Sequence, residues 1–184
     1  MNSSDAEEVI SKAIVKSIKD RFNSFDTPAK FDLFTAEVET HPMEDPRSGR
    51  DCPRIDIKIE GAAIKPRPQF TFEAKRLKKG SHGIGDYTGE AGLGCFLRCQ
   101  YAENFPSAGM LAYIQDENSL PHWKSELERK FRENQSLDLR KPLQELQVLL
   151  DLPNEWFSEH ARSKESKEHP AIGIFHIFLD CWSL

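Results

Sequence analysis

The chain has 184 residues, 38% of them hydrophobic and 30% charged, a balance that suits one domain with a real core and argues against disorder. Its formal net charge of -5 counts against a freestanding binder of duplex nucleic acid, whose affinity rests on cations set against phosphate. No apolar stretch approaches a membrane span, since the longest, near 171–179, is interrupted by His176; with a polar, acidic start unlike a signal peptide, a cytoplasmic location and no membrane partner are expected.

The first predicted element is a helix. Ser4 and Glu7 match a capping box, and Ile10, Ala13, Ile14, Ile18, Phe22 and Phe25 recur on one face until Thr27 and Pro28 end it. Residues 31–40 read as a strand with Glu37 and Glu39 on one face. The stretch 41–51 is turn-rich and contains Arg50. Two alternating runs follow, 54–59 and 69–77, joined by a segment bearing glycine and prolines.

Glycines at 80, 83, 85, 89, 92 and 94 fit neither phosphate-loop pattern. Residues 79–86 therefore read as a loop, and 87–101 as a helix that Gly92 and Gly94 allow to pack closely on the sheet. Residues 108–115 read as a strand and 119–133 as an exposed helix. Leucines 139, 143, 146 and 150 suggest a helix over 137–150. The charged stretch 158–168 reads as a solvated loop or frayed helix. The run 172–179 is a buried strand, with His176 as a core histidine. No linker or repeat divides the chain, so a single domain over 1–184 is expected. Cys52, Cys95, Cys99 and Cys181 form no C-x-x-C pair and read as free thiols, which suits a reducing compartment.

The chemistry concentrates on the two central runs. A strand puts residues i and i+2 on one face, so Glu73 and Lys75 point together while Phe70, Phe72 and Ala74 point away. In the preceding run Ile55, Ile57 and Ile59 face the core and Asp56 lies opposite. Two carboxylates and an amine then share one surface of a hairpin. Mg²⁺ is commonly held by one or two carboxylates plus substrate phosphate, and a lysine beside it can orient or activate water and offset developing negative charge. A solvated charge pair on an exposed strand is the plain alternative for Glu73 and Lys75 taken alone.

The segments R-I-D-I at 54–57 and F-E-A-K-R-L at 72–77 resemble the active-site hairpin of the PD-(D/E)xK, restriction-endonuclease-like nucleases. Tyr87, Gly92, Leu93, Phe96, Tyr101, Gly109, Met110 and Tyr113 resemble the helix and strand that follow that hairpin in small prokaryotic members, many of them uncharacterised or parts of anti-phage defence systems. The chain departs from the motif in having no proline directly before Asp56. The resemblance implies an α/β fold: a central mixed sheet flanked by helices, with an αβββαβ core and C-terminal additions.

It further implies a metal-dependent endonuclease that hydrolyses phosphodiester bonds, in DNA rather than RNA, and that acts as a homodimer in many relatives. Asp56 and Glu73 would bind Mg²⁺, with Mn²⁺ able to substitute, and Lys75 would position or activate the water. Relatives place a first-helix glutamate at the metal, which makes Glu8 a candidate ligand, as Glu39 is from the neighbouring strand. Arg54, Arg76, Lys78 and Lys79 are candidate phosphate contacts, with Lys65 and Arg67 in the preceding turn and Arg98 or Gln100 on the helix. The alternative is a non-catalytic nuclease-fold subunit that binds nucleic acid or a protein partner in a defence complex. The acidic net charge favours a protein partner that supplies nucleic-acid affinity.

Overall fold

The computed structural model describes residues 6–40, 54–146, 154–165 and 167–182. The predicted cap at Ser4, the turn-rich stretch with Arg50, Cys52 and residues 147–150 lie outside them. Helix α1 spans Glu7–Phe22 and is followed by a single 3-10 turn at Ala29–Phe31. Strands β1 (Phe34–Thr40), β2 (Ile55–Gly61) and β3 (Gln69–Leu77) come next. Two short helices, α2 (Ile84–Thr88) and α3 (Gly94–Leu97), lead to β4 (Ser107–Ile114). Helix α4 (Leu120–Glu133) precedes β5 (Leu139–Leu146), β6 (Glu155–Lys164) and β7 (Lys167–Asp180).

The described strands form one mixed α/β sheet in the order β1-β2-β3-β4-β7-β6-β5. β3, β4 and β7 run parallel to one another, and the other pairings are antiparallel. Alternation along β3 divides the core in two. Ala74 joins Ile57, Leu111 and Tyr113 under Ile10 and Val15 of α1. Leu77 joins Met110, Ile174 and Phe178 under Tyr87, Phe96, Trp123, Leu127 and Phe131 from the helices of the opposite face. Each face buries an apolar set that water would otherwise solvate, which is the main favourable term in folding.

Five expectations change, one of them being that the helix expected to be exposed, α4, buries Trp123, Leu127 and Phe131 against the sheet. Helix α1 stops at Phe22, and Phe25 is fully exposed. The single helix over 87–101 is instead two short helices joined by a tight turn, in which Leu93 N–H donates to Tyr87 O at 2.9 Å and Gly94 N–H to Gly89 O at 2.9 Å. A side chain at Gly92 would put its Cβ 2.3 Å from Tyr87 O. The close approach those glycines permit is therefore to the chain's own preceding turn.

Residues 139–146 form a strand where leucine spacing suggested a helix. Pro142 in a helix interior would cost about 3 kcal/mol, whereas an edge strand tolerates it. Irregular register between Leu139 and Gln144 breaks the two-residue period, so Leu139, Leu143 and Leu146 are all half-buried at helix-like spacing. Finally, β6 covers most of the segment read as a solvated loop, and its buried face is Trp156, Ser158, His160 and Arg162. Arg162 is buried because its guanidinium donates to the carbonyls of Pro170, Ala102 and Phe105 at 2.5, 2.7 and 3.2 Å. Cys95, Cys99 and Cys181 are buried free thiols, and among the described residues no helix is long and apolar enough to cross a membrane.

Candidate functional site

The site forms where the sheet splits. β2 follows β3 only as far as the Ile57–Phe72 pair, while β3 pairs with β4 from Phe72 through Leu77. Beyond Phe72 the backbone of β3 needs another partner. Asp56 supplies it: its Oδ2 accepts the Ala74 N–H at 2.7 Å. An aspartate is short enough to reach that amide from the adjoining strand, and its remaining oxygen stays available to the site.

Glu73 and Lys75 lie on the same face of β3, as alternation requires. The Lys75 ammonium donates to Glu73 Oε1 at 2.5 Å and to Ala74 O at 2.9 Å. Helix α1 delivers a third acid, Glu7. Its Oε2 accepts the Arg76 N–H at 3.0 Å, and its Oε1 lies 3.5 Å from Lys75 Nζ. Glu73 is 5% exposed, and its Oε2 has no hydrogen-bond partner. A buried carboxylate oxygen left in that state costs free energy unless something positive meets it.

Electrostatics agree with the geometry. Burial, then the Asp56 carboxylate, pushes Glu73 up to about 8 in spite of Lys75 beside it. Burial also raises Asp56, against the Ala74 amide and Lys75, which stabilise its charge. Burial alone would lower Lys75, but the carboxylates of Glu73 and Glu7 outweigh it and hold the ammonium above its usual range. Lys75 is thus a fixed cation, and the pocket around it has more carboxylates than positive charge.

The candidate ligands Glu8 and Glu39 are not brought to Glu73. Glu8 is exposed and pairs with Lys12, and it touches Glu39, with Arg54 close enough to lower its pKa. Glu39 falls between the Val38–Ile57 and Thr40–Ile55 pairs, beside Asp56, and its charge helps raise that acid. The acid that α1 directs inward is Glu7. The buried positions Ser11 and Val15 follow it at intervals of four, so the helical stripe already pointed to Glu7 over Glu8.

The candidate phosphate contacts surround one end of this surface. Arg54 and Lys79 are exposed and Arg76 and Lys78 half-buried. Arg76 lies on the face of β3 opposite Lys75. Lys79 is fixed by its N–H bond to the Asp116 carboxylate at 2.7 Å, and Lys78 by an N–H bond to His82 O at 2.9 Å. Arg67 pairs with Glu60, and Arg98 donates to Glu90 O at 2.6 Å.

Sequence reasoning missed the wall behind the acids. The Tyr101 hydroxyl donates to Arg54 O at 2.6 Å, two residues before Asp56, and so anchors the start of β2. Cys95 lies near enough for the charge of Glu73 to help raise its thiol, after burial.

The donor set fits a hard divalent cation. Asp56 and Glu73 offer carboxylate oxygens, one of them unpartnered, in a pocket short of positive charge. Among the described residues no three His, Cys, Asp or Glu side chains converge as a complete metal cage. Mg²⁺ does not need one, because it keeps several waters and takes one or two carboxylates. No family model matches the chain, and neither the characterised proteins nor the solved structures searched contain a match.

Proposed function

We propose that the chain is a Mg²⁺-dependent nuclease that hydrolyses phosphodiester bonds, with DNA as its substrate, on a restriction-endonuclease-like αβββαβ core. The observation that carries this reading is the buried Glu73 carboxylate at the sheet split, its Oε2 unpartnered, between Asp56 and Lys75. The order α1, β1, β2, β3, α2/α3, β4 supports the core, with α4 and β5–β7 as the C-terminal additions. The setting implied by the resemblance, a cytoplasmic anti-phage defence system, belongs to the same proposal.

Asp56 and Glu73 would hold the cation, with Mn²⁺ able to replace Mg²⁺. When bound, it supplies Lewis-acid polarisation of a phosphoryl oxygen and lowers the pKa of water. Lys75 stays protonated between Glu73 and Glu7, so it donates hydrogen bonds: it orients the attacking water and faces the charge that develops on the phosphoryl group. Taking the proton from that water falls to a different group, because an ammonium has no lone pair to offer. Glu7 holds the Lys75 side chain and the Arg76 backbone together. Arg54, Lys78 and Lys79 would position the phosphodiester backbone without reading its sequence.

The net charge of -5 favours a second reading, a nuclease-fold subunit that relies on a protein partner for nucleic-acid affinity. Incubation with supercoiled plasmid and with RNA tests the first. Cleavage that requires Mg²⁺ or Mn²⁺, stops with chelator and is lost in Lys75→Ala supports it. No cleavage of either substrate, together with no Mg²⁺ binding by calorimetry, refutes it and leaves the binding subunit.

A further inference from the structure

A second polar constellation lies inside the protein, on the same sheet face as Glu73 but two strands away. Tyr87, Ser158, His160 and His176 are all fully buried. His160 Nδ1 lies 2.6 Å from Leu137 O, and its Nε2 lies 2.7 Å from Ser158 Oγ. Ser158 Oγ lies 2.8 Å from His176 Nε2, and His176 Nδ1 lies 2.9 Å from the Tyr87 hydroxyl. The hydroxyl is also 3.3 Å from Met110 O on β4.

One end of this chain fixes every proton in it. A carbonyl oxygen only accepts, so His160 carries its proton on Nδ1 and its Nε2 accepts from Ser158. The Ser158 oxygen then accepts from His176 Nε2–H, and His176 Nδ1 accepts from Tyr87. With both imidazoles neutral, every donor and acceptor is satisfied in a single direction.

The surroundings determine what an added proton does. Helix α4 presents the uncharged Phe131 ring to both histidines. The turn after α4 presents the Leu137 carbonyl, with the carboxylate of Asp138 acting on His160. Helix α2 presents the Tyr87 phenol and β4 the Met110 carbonyl. His160 in turn acts on His176, disfavouring a second charge there. An added proton is therefore best placed on His160, the one next to an acid.

We propose that these four residues form a one-proton switch, in which His160 takes up a proton and the whole chain of hydrogen bonds reverses toward Met110. His160 Nε2–H then donates to Ser158, and Ser158 donates to His176 Nε2. The protons move as a relay: Ser158 passes its hydrogen to His160 Nε2, His176 Nε2 passes its own to Ser158, Tyr87 passes its own to His176 Nδ1, and the added proton restores the Tyr87 hydroxyl, which turns to Met110 O. Four protons become five and no group loses its partner. A second proton finds no place, because Ser158 would receive two N–H donors and have no acceptor for its own hydrogen. Met110 pairs in register with both His176 and Glu73, so the reversal ends one strand from the acids.

Imidazole ¹⁵N and ¹³C NMR of the full chain, titrated from neutral pH downward, tests this. His160 should pass from the Nδ1–H tautomer to the doubly protonated form. In the same step His176 should pass from Nε2–H to Nδ1–H while remaining neutral, a change that a purely structural pair would not show. Tyr87→Phe keeps the ring and removes the outlet, so it should abolish the His176 tautomer change. Asp138→Asn should move the midpoint to lower pH. Circular dichroism on the same samples dates the step relative to unfolding. The proposal fails if His176 keeps Nε2–H or becomes a cation, if Tyr87→Phe titrates like the parent, or if the fold is lost before His160 changes.

Discussion

Glu73→Gln should stabilise the cation-free protein, and by an amount that grows with pH. Glu73 is pushed up to about 8 from an ordinary value of 4.5, first by burial and then by Asp56. A carboxyl whose folded pKa is raised contributes fully below the unfolded value, and that contribution is lost as pH rises through the folded one. Between pH 4.5 and 8 the unfolded chain ionises Glu73 freely while the folded chain resists, so stability falls. At about 1.4 kcal/mol per pH decade, the penalty is about 1 kcal/mol at pH 5 and about 3 kcal/mol at pH 7. Glutamine removes that penalty but weakens the bond to Lys75, a loss of about 1 kcal/mol.

The expected gain is therefore near zero at pH 5 and about 2 kcal/mol at pH 7. Urea unfolding of parent and variant in chelator, at both pH values, measures it. Subtracting one protein from the other cancels the histidines, whose lowered pKa values make stability rise with pH in both. Millimolar Mg²⁺ should then favour the parent and reverse the order at pH 7. A difference that does not depend on pH, or a variant less stable than the parent at pH 7 in chelator, refutes the account of Glu73 as a desolvated acid awaiting a cation.

Two further changes probe the frame around the site. Glu7→Gln should lower cleavage at least tenfold with the fold retained, because Lys75 loses one of its two carboxylates, while Glu8→Gln should leave the rate within about twofold since that acid pairs only at the surface; parallel kcat measurements decide between them. Gly109→Ala should cost about 1–3 kcal/mol in denaturant unfolding, because the new Cβ would lie 2.2 Å from the Phe72 ring.

The central hairpin was legible because its period is plain. Ile57 and Ile59 against Asp56, and Phe70 and Phe72 against Glu73 and Lys75, obey a two-residue alternation that survives in β2 and β3, while Ile55, beyond the split of the sheet, packs into the opposite cluster with Leu77 and Tyr101. The C-terminal half hid its strands for two different reasons. In β5 the irregular register spreads three leucines at helix-like spacing, so the pattern suggests the wrong period. In β6 the inward face is Trp156, Ser158, His160 and Arg162, whose burial depends on partners contributed by α4 and the turn after it, β7 and the loop at 102–106. No local hydrophobic pattern can show such partners. The gathering of Asp56, Glu73 and Lys75 was legible on the strands, whereas on the helix a single step of about 100° separates Glu7, directed at Lys75, from Glu8, directed at solvent.

Strand β7 follows β6 in the chain yet sits between β6 and β4 in the sheet. The pairing of Ser107 with Gly173 must close over α4, β5 and β6, and such long closures slow folding because their entropy is lost before the contacts form. During synthesis α1 to β4 emerge first, so the strands that carry Asp56, Glu73 and Lys75 can align early. Until β7 arrives, however, β4 presents a bare hydrogen-bonding edge of Ala108, Met110 and Ala112, open to any other extended chain. The interval before that insertion, rather than the finished fold, is when this protein is most exposed to mispairing.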